Sequence, residues 1–169
     1  RLHNPLNLHL DVPANSDETK VWTSFRKIMI HEYFHVYQSS KWWDNERTQI
    51  AEENDDAGVS PVWMEEGSAE YMSYLLMHRQ GWLNLKEQMK VDRTRYQDEV
   101  LDPHPDFGIE DLESSMDVER GKALCGPCWN TVQYSMGAWA IAYLIHLSSE
   151  TAFVNGYYND LDTFGWRLS

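Results

Sequence analysis

Two histidines and a glutamate form a short motif whose residue types and spacing could bind a metal ion. In His31-Glu32-Tyr33-Phe34-His35 the two imidazoles lie four residues apart, on one face of a predicted helix. Side chains at that spacing can converge on one ion at zinc–nitrogen distances of ~2.0–2.1 Å. Glu32 would lie beside the ion, where its carboxylate could accept a proton from a metal-activated water molecule. The alternative is a pair of ordinary helical histidines.

A downstream cluster of glutamates could supply the third protein ligand that a catalytic zinc site needs. It lies in Trp63–Tyr71, whose sequence is WMEEGSAEY. Glu66 and Glu70 share a helical face, so one could bind the metal while the other hydrogen-bonds a ligand histidine. Glu65 points about 100° away from Glu66 and is an alternative to it, not a joint ligand. An acidic, solvated helix face is the competing interpretation.

Taken together, the two motifs resemble the gluzincins, zinc peptidases whose third ligand is a glutamate on the helix after the HExxH helix. The WMEEGSAEY stretch is similar to the branch that contains the thermolysin-like enzymes and the M1 aminopeptidases. The resemblance implies zinc ligands at His31, His35 and Glu66. It also implies a general base at Glu32, and a carboxylate at Glu70 that hydrogen-bonds a ligand histidine.

A third segment, Gln133–Ala138 (QYSMGA), resembles the Tyr-x-Lys-Gly-Ala segment of M1 aminopeptidases. The resemblance implies that the Tyr134 hydroxyl stabilises the oxyanion that develops during hydrolysis, a task that suits a neutral donor. The alternative is a tyrosine at the start of a buried helix. The Gly-x-Met-Glu-Asn stretch that holds the substrate amino terminus in M1 enzymes is absent from the chain, so we do not predict aminopeptidase activity.

Three helices would carry these residues. Apolar spacing predicts them at about 19–39, 62–79 and 131–147, with Asp17 capping the first. The alternating segment Leu6–Val12 predicts a short N-terminal edge strand. The fold class is therefore mainly α (α+β). The resemblance implies one zincin-like catalytic domain over 1–169, and we treat both chain ends as candidate cuts.

The apolar residues of the helices indicate which faces are buried. In the first helix, a set at helical spacing is expected to face the core: Trp22, Phe25, Ile28, Met29 and Tyr33. The third helix is apolar almost all round and is expected to be central. Gly67 costs about 1 kcal/mol relative to alanine in a helix interior. We expect it to allow close approach of the two helices that share the metal.

Charge and composition exclude several classes of partner. The chain has 14 Lys and Arg against 27 Asp and Glu, a net charge of -13. Without a basic run it has no surface for nucleic acid. Its most apolar stretch, Met136–Leu147, is too short to be a transmembrane segment, which takes roughly 20 residues. We expect a peptide or protein substrate and an exported protein, and the oligomeric state stays open.

Cys125-Gly126-Pro127-Cys128 matches the thioredoxin motif, but no proline follows Pro127 to face a redox site. We interpret the cysteines as a small disulfide or as two thiols that cap the third helix.

The predicted function is zinc-dependent hydrolysis of peptide bonds by metal-activated water, with Glu32 as general base. Three alternatives stay open: a non-catalytic binding domain stabilised by zinc, a zinc hydrolase acting on a non-peptide amide, and a helical binding module without metal. Since every ligand and the base are intact, decay of the catalytic site is disfavoured.

Overall fold

The computed structural model describes residues 17–42, 61–112 and 117–158, most of which lie in helices. In chain order the helices are α1 Glu18–Trp42, α2 Val62–Arg79, α3 Leu85–Tyr96, α4 Asp117–Cys125, α5 Cys128–Thr131, α6 Gly137–Leu147 and α7 Glu150–Ala152. Single π-helical turns follow α3, α5 and α7, over Gln97–Leu101, Val132–Met136 and Phe153–Tyr157, and Ile109–Leu112 forms a 3₁₀ turn. The π turn after α5 leads directly into α6, so the chain is helical from Cys128 to Leu147.

The prediction of a mainly α fold is confirmed, and the predicted edge strand has no support. Leu6–Val12 lies outside the described residues, and the three described ranges contain no strand. Helices occur where the sequence predicts the three that carry the site. That residues 1–169 form one catalytic domain stays a prediction.

Helix α1 buries one narrow seam against α2. Asp17 caps the helix, since its Oδ1 accepts a hydrogen bond from the Thr19 amide at 3.0 Å. Between residues 18 and 40 of α1, the buried residues are His31, Phe34 and Gln38, which recur at the helical spacing i, i+3, i+7. The HExxH histidines therefore lie on the side that faces α2.

The opposite side of α1 contradicts part of the predicted core. Trp22 is 50% exposed, Met29 44% and Tyr33 75%, while Phe25 and Ile28 are half-buried. The physical reason is geometric: the buried seam of α1 packs on α2 and on Tyr158, and no described element covers the far side.

Helix α2 lies between α1 and α6 and is buried continuously from Gly67 to Tyr74. It meets α6 at two glycines. A Cβ on Gly67 would lie 2.4 Å from the carbonyl carbon of Gly137, and a Cβ on Gly137 would lie 2.4 Å from the Trp63 oxygen. Gly67 does permit a close helix approach, but the partner is α6 and not the histidine helix as predicted.

Helix α6 is central on one face only. Gly137, Ala138 and Ile141 are buried, whereas Tyr143 and Leu147 are exposed. The expectation that this helix is surrounded by protein is therefore wrong for its outer face, which no described element covers.

The described residues form two apolar clusters in the core. The larger one joins α1, α2, α3, α6 and the segment after α7. The smaller one includes Val100, Phe107 and Val132 beside a Cys125–Cys128 disulfide, which ties the end of α4 to the start of α5. Of the two interpretations of these cysteines, the disulfide is the one the structure has.

Within the described ranges, none of the helices combines the length and apolar character that crossing a membrane requires.

Candidate metal centre and active site

Three side-chain atoms from α1 and α2 converge on one point. The Nε2 atoms of His31 and His35 are 3.0 Å apart, and each lies 3.2 Å from Oε2 of Glu66. These three residues form a group that could bind a metal ion. The sequence left Glu65, Glu66 and Glu70 as candidates for the third ligand. Glu66 is the one that belongs to this group, and Glu65 does not.

The other ring nitrogen of each histidine is hydrogen-bonded on the far side of the ring. His31 Nδ1 lies 3.1 Å from Oε2 of Glu70, and His35 Nδ1 lies 2.7 Å from Oε1 of Gln38. A carboxylate and an amide oxygen can only accept, so both Nδ1 atoms carry hydrogen and donate. This arrangement leaves both Nε2 lone pairs for a cation, as second-sphere partners of metal-binding histidines do.

The charges at this group favour a cation. Burial lowers the pKa of His31, but hydrogen bonds to Glu66 and Glu70 outweigh it and raise that pKa to about 9. Burial likewise raises the pKa of Glu66, while hydrogen bonds from His31 and His35 bring it down to about 2. The raised pKa of His31 reports a negative potential at its ring, and the lowered pKa of Glu66 reports positive charge supplied by the histidines. The group therefore favours a positive charge between its Nε2 and Oε2 atoms, a position that suits a proton or a metal dication.

Glu70 is the buried centre of a polar network that links α1 to α2. It accepts hydrogen bonds from His31, Lys27 and Tyr74. Burial raises the pKa of Glu70, but these donors lower it below its ordinary value, so the carboxylate stays charged. The sequence analysis missed Lys27 and Tyr74. The signal was present, because Lys27 lies four residues before His31 and Tyr74 lies four residues after Glu70, a spacing that places each pair on one helical face.

Gln38 plays the corresponding part for His35, and the sequence analysis missed it as well. Its side chain is fully buried, and its Nε2 donates to Ser68 Oγ at 2.8 Å and Tyr158 Oη at 3.1 Å. Those contacts fix the orientation of the amide, so Oε1 faces the histidine. A glutamine three residues after the second histidine was the available clue, but Tyr158 is too distant in sequence to be paired with it.

Glu32 and Tyr134 line a cavity of about 470 Å³ beside His31. The rings of His31 and Tyr134 are 5.7 Å apart. Burial, followed by the nearby Glu66 carboxylate, raises the pKa of Tyr134 above its ordinary value, so the phenol keeps its proton at neutral pH. Tyr134 lies in the π turn that leads into α6, and such turns are frequent at functional sites. Its role in catalysis stays a prediction.

One family comparison bears on this site. A family model described as M61 glycyl aminopeptidase matches residues 24–105, a stretch that contains all three residues that could bind a metal ion and ends before Tyr134. The match supports a metallopeptidase-type family and peptide hydrolysis in general. No curated protein and no solved structure matches the chain.

Proposed function

We propose that this protein is a gluzincin-type zinc peptidase that hydrolyses peptide bonds with metal-activated water. The observation that carries the proposal is the triangle of two Nε2 atoms and one Oε2, with sides of 3.0–3.2 Å. Ligand atoms ~2.0–2.1 Å from a tetrahedral zinc ion stand roughly 3.3 Å apart. Two imidazoles and one carboxylate are also the donor set of a catalytic zinc site with an open position.

Glu32 is the proposed general base. Zinc at this group would polarise a substrate carbonyl and lower the pKa of a water molecule towards ~7. Glu32 lines the same cavity as His31, so its carboxylate can accept the water proton and then deliver it to the leaving amine. Tyr134 donates from the same cavity wall to the carbonyl oxygen as negative charge develops there. Glu70 and Gln38 keep the two histidines oriented.

The test compares zinc-loaded wild type with Glu32→Gln on an unbiased peptide mixture, with zinc content measured for both. We expect wild type to cleave and the variant to bind one zinc while losing activity by a factor of about 10²–10⁴. Because the matched family is described as an aminopeptidase, the mixture includes peptides that begin with glycine, with free and acetylated amino termini.

The other outcomes separate the alternatives. Normal cleavage by zinc-loaded Glu32→Gln would contradict the proposed base. Zinc binding without cleavage of any peptide would favour a zinc-stabilised binding domain or a hydrolase of non-peptide amides. Failure of wild type to bind zinc would favour a helical module without metal.

A further inference from the structure

We propose that Arg95 binds a carboxylate of the substrate, so that the enzyme prefers peptides with a carboxylate close to the scissile bond. The inference rests on the proposed peptidase function and adds a substrate class to it. Arg95 lies in the last turn of α3 and lines the same 470 Å³ cavity as His31, Glu32 and Tyr134. A cavity of this size holds a small ligand, so only the residues next to the scissile bond would fit.

The guanidinium of Arg95 is anchored at one edge and free at the other. Its Nε donates to both carboxylate oxygens of Glu99, at 3.2 and 3.1 Å. Glu99 also accepts a hydrogen bond from the buried Thr131, which lies one residue before the π turn that holds Tyr134. Within the described part of the chain, Nη1 and Nη2 of Arg95 have no hydrogen-bond partner. Arginine has five N–H donors, and its terminal pair matches the two oxygens of a carboxylate.

Lys27, the lysine among the described residues that line the cavity, already has a partner. Lys27 forms an ion pair with Glu70 and lies 5.2 Å above the Tyr74 ring. Glu32, the remaining acid, would repel a carboxylate from the reacting end of the cavity. Of the described residues that line the cavity, Arg95 is therefore the cation that can still bind an anion.

Asn130 offers a second donor in the same cavity wall. Its Oδ1 accepts from Nε2 of Gln133 at 3.2 Å, which leaves the Nδ2 group of Asn130 to donate. Neutral and charged donors side by side are typical of carboxylate recognition. The net charge of the chain is -13, so its long-range field repels an anionic peptide. A preference for such a peptide therefore has to come from local contacts such as those of Arg95 and Asn130.

The competing explanation is an exposed helical ion pair without function. The side chains of Arg95 and Glu99 are 52% and 46% exposed and lie four residues apart, a pairing that contributes little stability. If Arg95 binds the substrate, the preference for a carboxylate depends on Arg95. If Arg95 and Glu99 form only a surface ion pair, the preference does not depend on it.

The experiment uses four versions of the peptide that wild type cleaves best in the mixture. Two versions carry glutamine or glutamate beside the scissile bond, and two shortened versions end with an amide or a free carboxylate. The ratio of kcat/KM between the members of each pair is measured for wild type, Arg95→Gln and Arg93→Gln. Arg93 is the matched control, an exposed arginine of the same helix that does not line the cavity.

We expect wild type to prefer the carboxylate in one pair, and Arg95→Gln to reduce that preference by roughly 10- to 100-fold, while Arg93→Gln keeps it. If the preference appears in the glutamine and glutamate pair, Arg95 binds a side-chain carboxylate. If it appears in the amide and carboxylate pair, Arg95 binds the carboxyl terminus of the peptide. Equal ratios in wild type and Arg95→Gln would overturn the inference and leave the peptidase proposal intact.

A binding measurement keeps the inference testable if no peptide is cleaved. The same two pairs are then made in a short alanine peptide: one pair differs by glutamine or glutamate, and the other by a terminal amide or a free carboxylate. Its affinity is measured for zinc-loaded Glu32→Gln and for that variant combined with Arg95→Gln. Tighter binding of a carboxylate version that disappears with Arg95→Gln would support the inference. Equal binding by both proteins would reject the inference about Arg95, whether or not the protein is a peptidase.

Discussion

At the scale of single residues, each ring nitrogen of the two histidines has a separate task. The Nε2 atoms of His31 and His35 meet at Glu66, and their Nδ1 atoms donate to Glu70 and Gln38. Orientation of a metal-binding imidazole by its outer partner raises its basicity and restricts its rotation. The affinity for metal should therefore depend on residues that never touch the metal.

Replacing Glu70 by glutamine tests that dependence. The amide keeps the shape and one acceptor oxygen but removes the charge that His31 and Lys27 share. We expect the zinc affinity of Glu70→Gln to fall about 10- to 100-fold, measured by competition with a chromogenic chelator. Glu65→Gln is the matched control, since Glu65 is a half-buried glutamate of α2 outside the metal-binding group. Equal affinities for wild type and Glu70→Gln would show that Glu70 does not tune the site.

Tyr134 can be tested by removing one oxygen atom. If its hydroxyl stabilises negative charge on the substrate, Tyr134→Phe should lower kcat by about 10²–10³ with little change in zinc content. Tyr143→Phe is the control, because Tyr143 is an exposed tyrosine of the adjoining helix α6. A kcat within twofold of wild type would reduce Tyr134 to a packing residue, which is the alternative that the sequence left open.

At the scale of elements, two glycines set the distance between α2 and α6. Gly67 follows Glu66, and Gly137 comes three residues after Tyr134, so this crossing fixes the candidate metal-binding group relative to the π turn. The three heavy atoms nearest to a Cβ on Gly67 would be backbone atoms of Gly137, at 2.4–2.8 Å, and a side-chain rotation cannot relieve such contacts. The helices would have to move apart.

We expect Gly67→Ala to lower the free energy of unfolding by about 1–3 kcal/mol, as overpacked cores do. Helix propensity alone predicts the opposite sign, a gain of up to about 1 kcal/mol. Urea denaturation therefore separates the two effects, with Ser24→Ala on the exposed side of α1 as a control for propensity. A stabilised Gly67→Ala protein would contradict the close crossing.

The elements also show what the sequence could and could not predict. Spacing alone identified the HExxH helix, the glutamate helix and Glu66 as a candidate ligand, because i and i+4 neighbours share a face by construction. It failed for Trp22 and Tyr33, because apolar spacing shows that a helix has an apolar face but not whether another element covers it. Contacts between distant segments, such as Gln38 with Tyr158, leave no local pattern at all.

At the scale of the whole molecule, an excess of carboxylates makes stability depend on pH. The chain has 27 acidic residues against 14 basic ones, and one of the acids, Asp92, is buried between α3 and α2. Its Oδ1 lies 3.5 Å from both Tyr74 Oη and Gln88 Nε2, and its Oδ2 has no hydrogen-bond partner within the described part of the protein. A charged carboxylate in that position is costly.

Asp92 should therefore destabilise the protein at alkaline pH. Burial, followed by repulsion from Glu70, raises the pKa of Asp92 from 3.8 to about 6. Because the folded state holds the proton more tightly than the unfolded state, protonation of Asp92 stabilises the fold fully below pH 3.8. That contribution is lost as the pH rises through about 6. An uncharged substitute should thus help most at high pH.

We expect Asp92→Asn to raise the free energy of unfolding by about 2–3 kcal/mol at pH 8, and by less than about 1 kcal/mol at pH 4. Urea denaturation with excess chelator at both pH values measures the difference without a contribution from bound metal. Asp98→Asn, at an exposed acid in the turn after α3, controls for the general loss of one negative charge. A gain that is equal at the two pH values, or equal to that of the control, would show that Asp92 is charged in the folded protein at little cost.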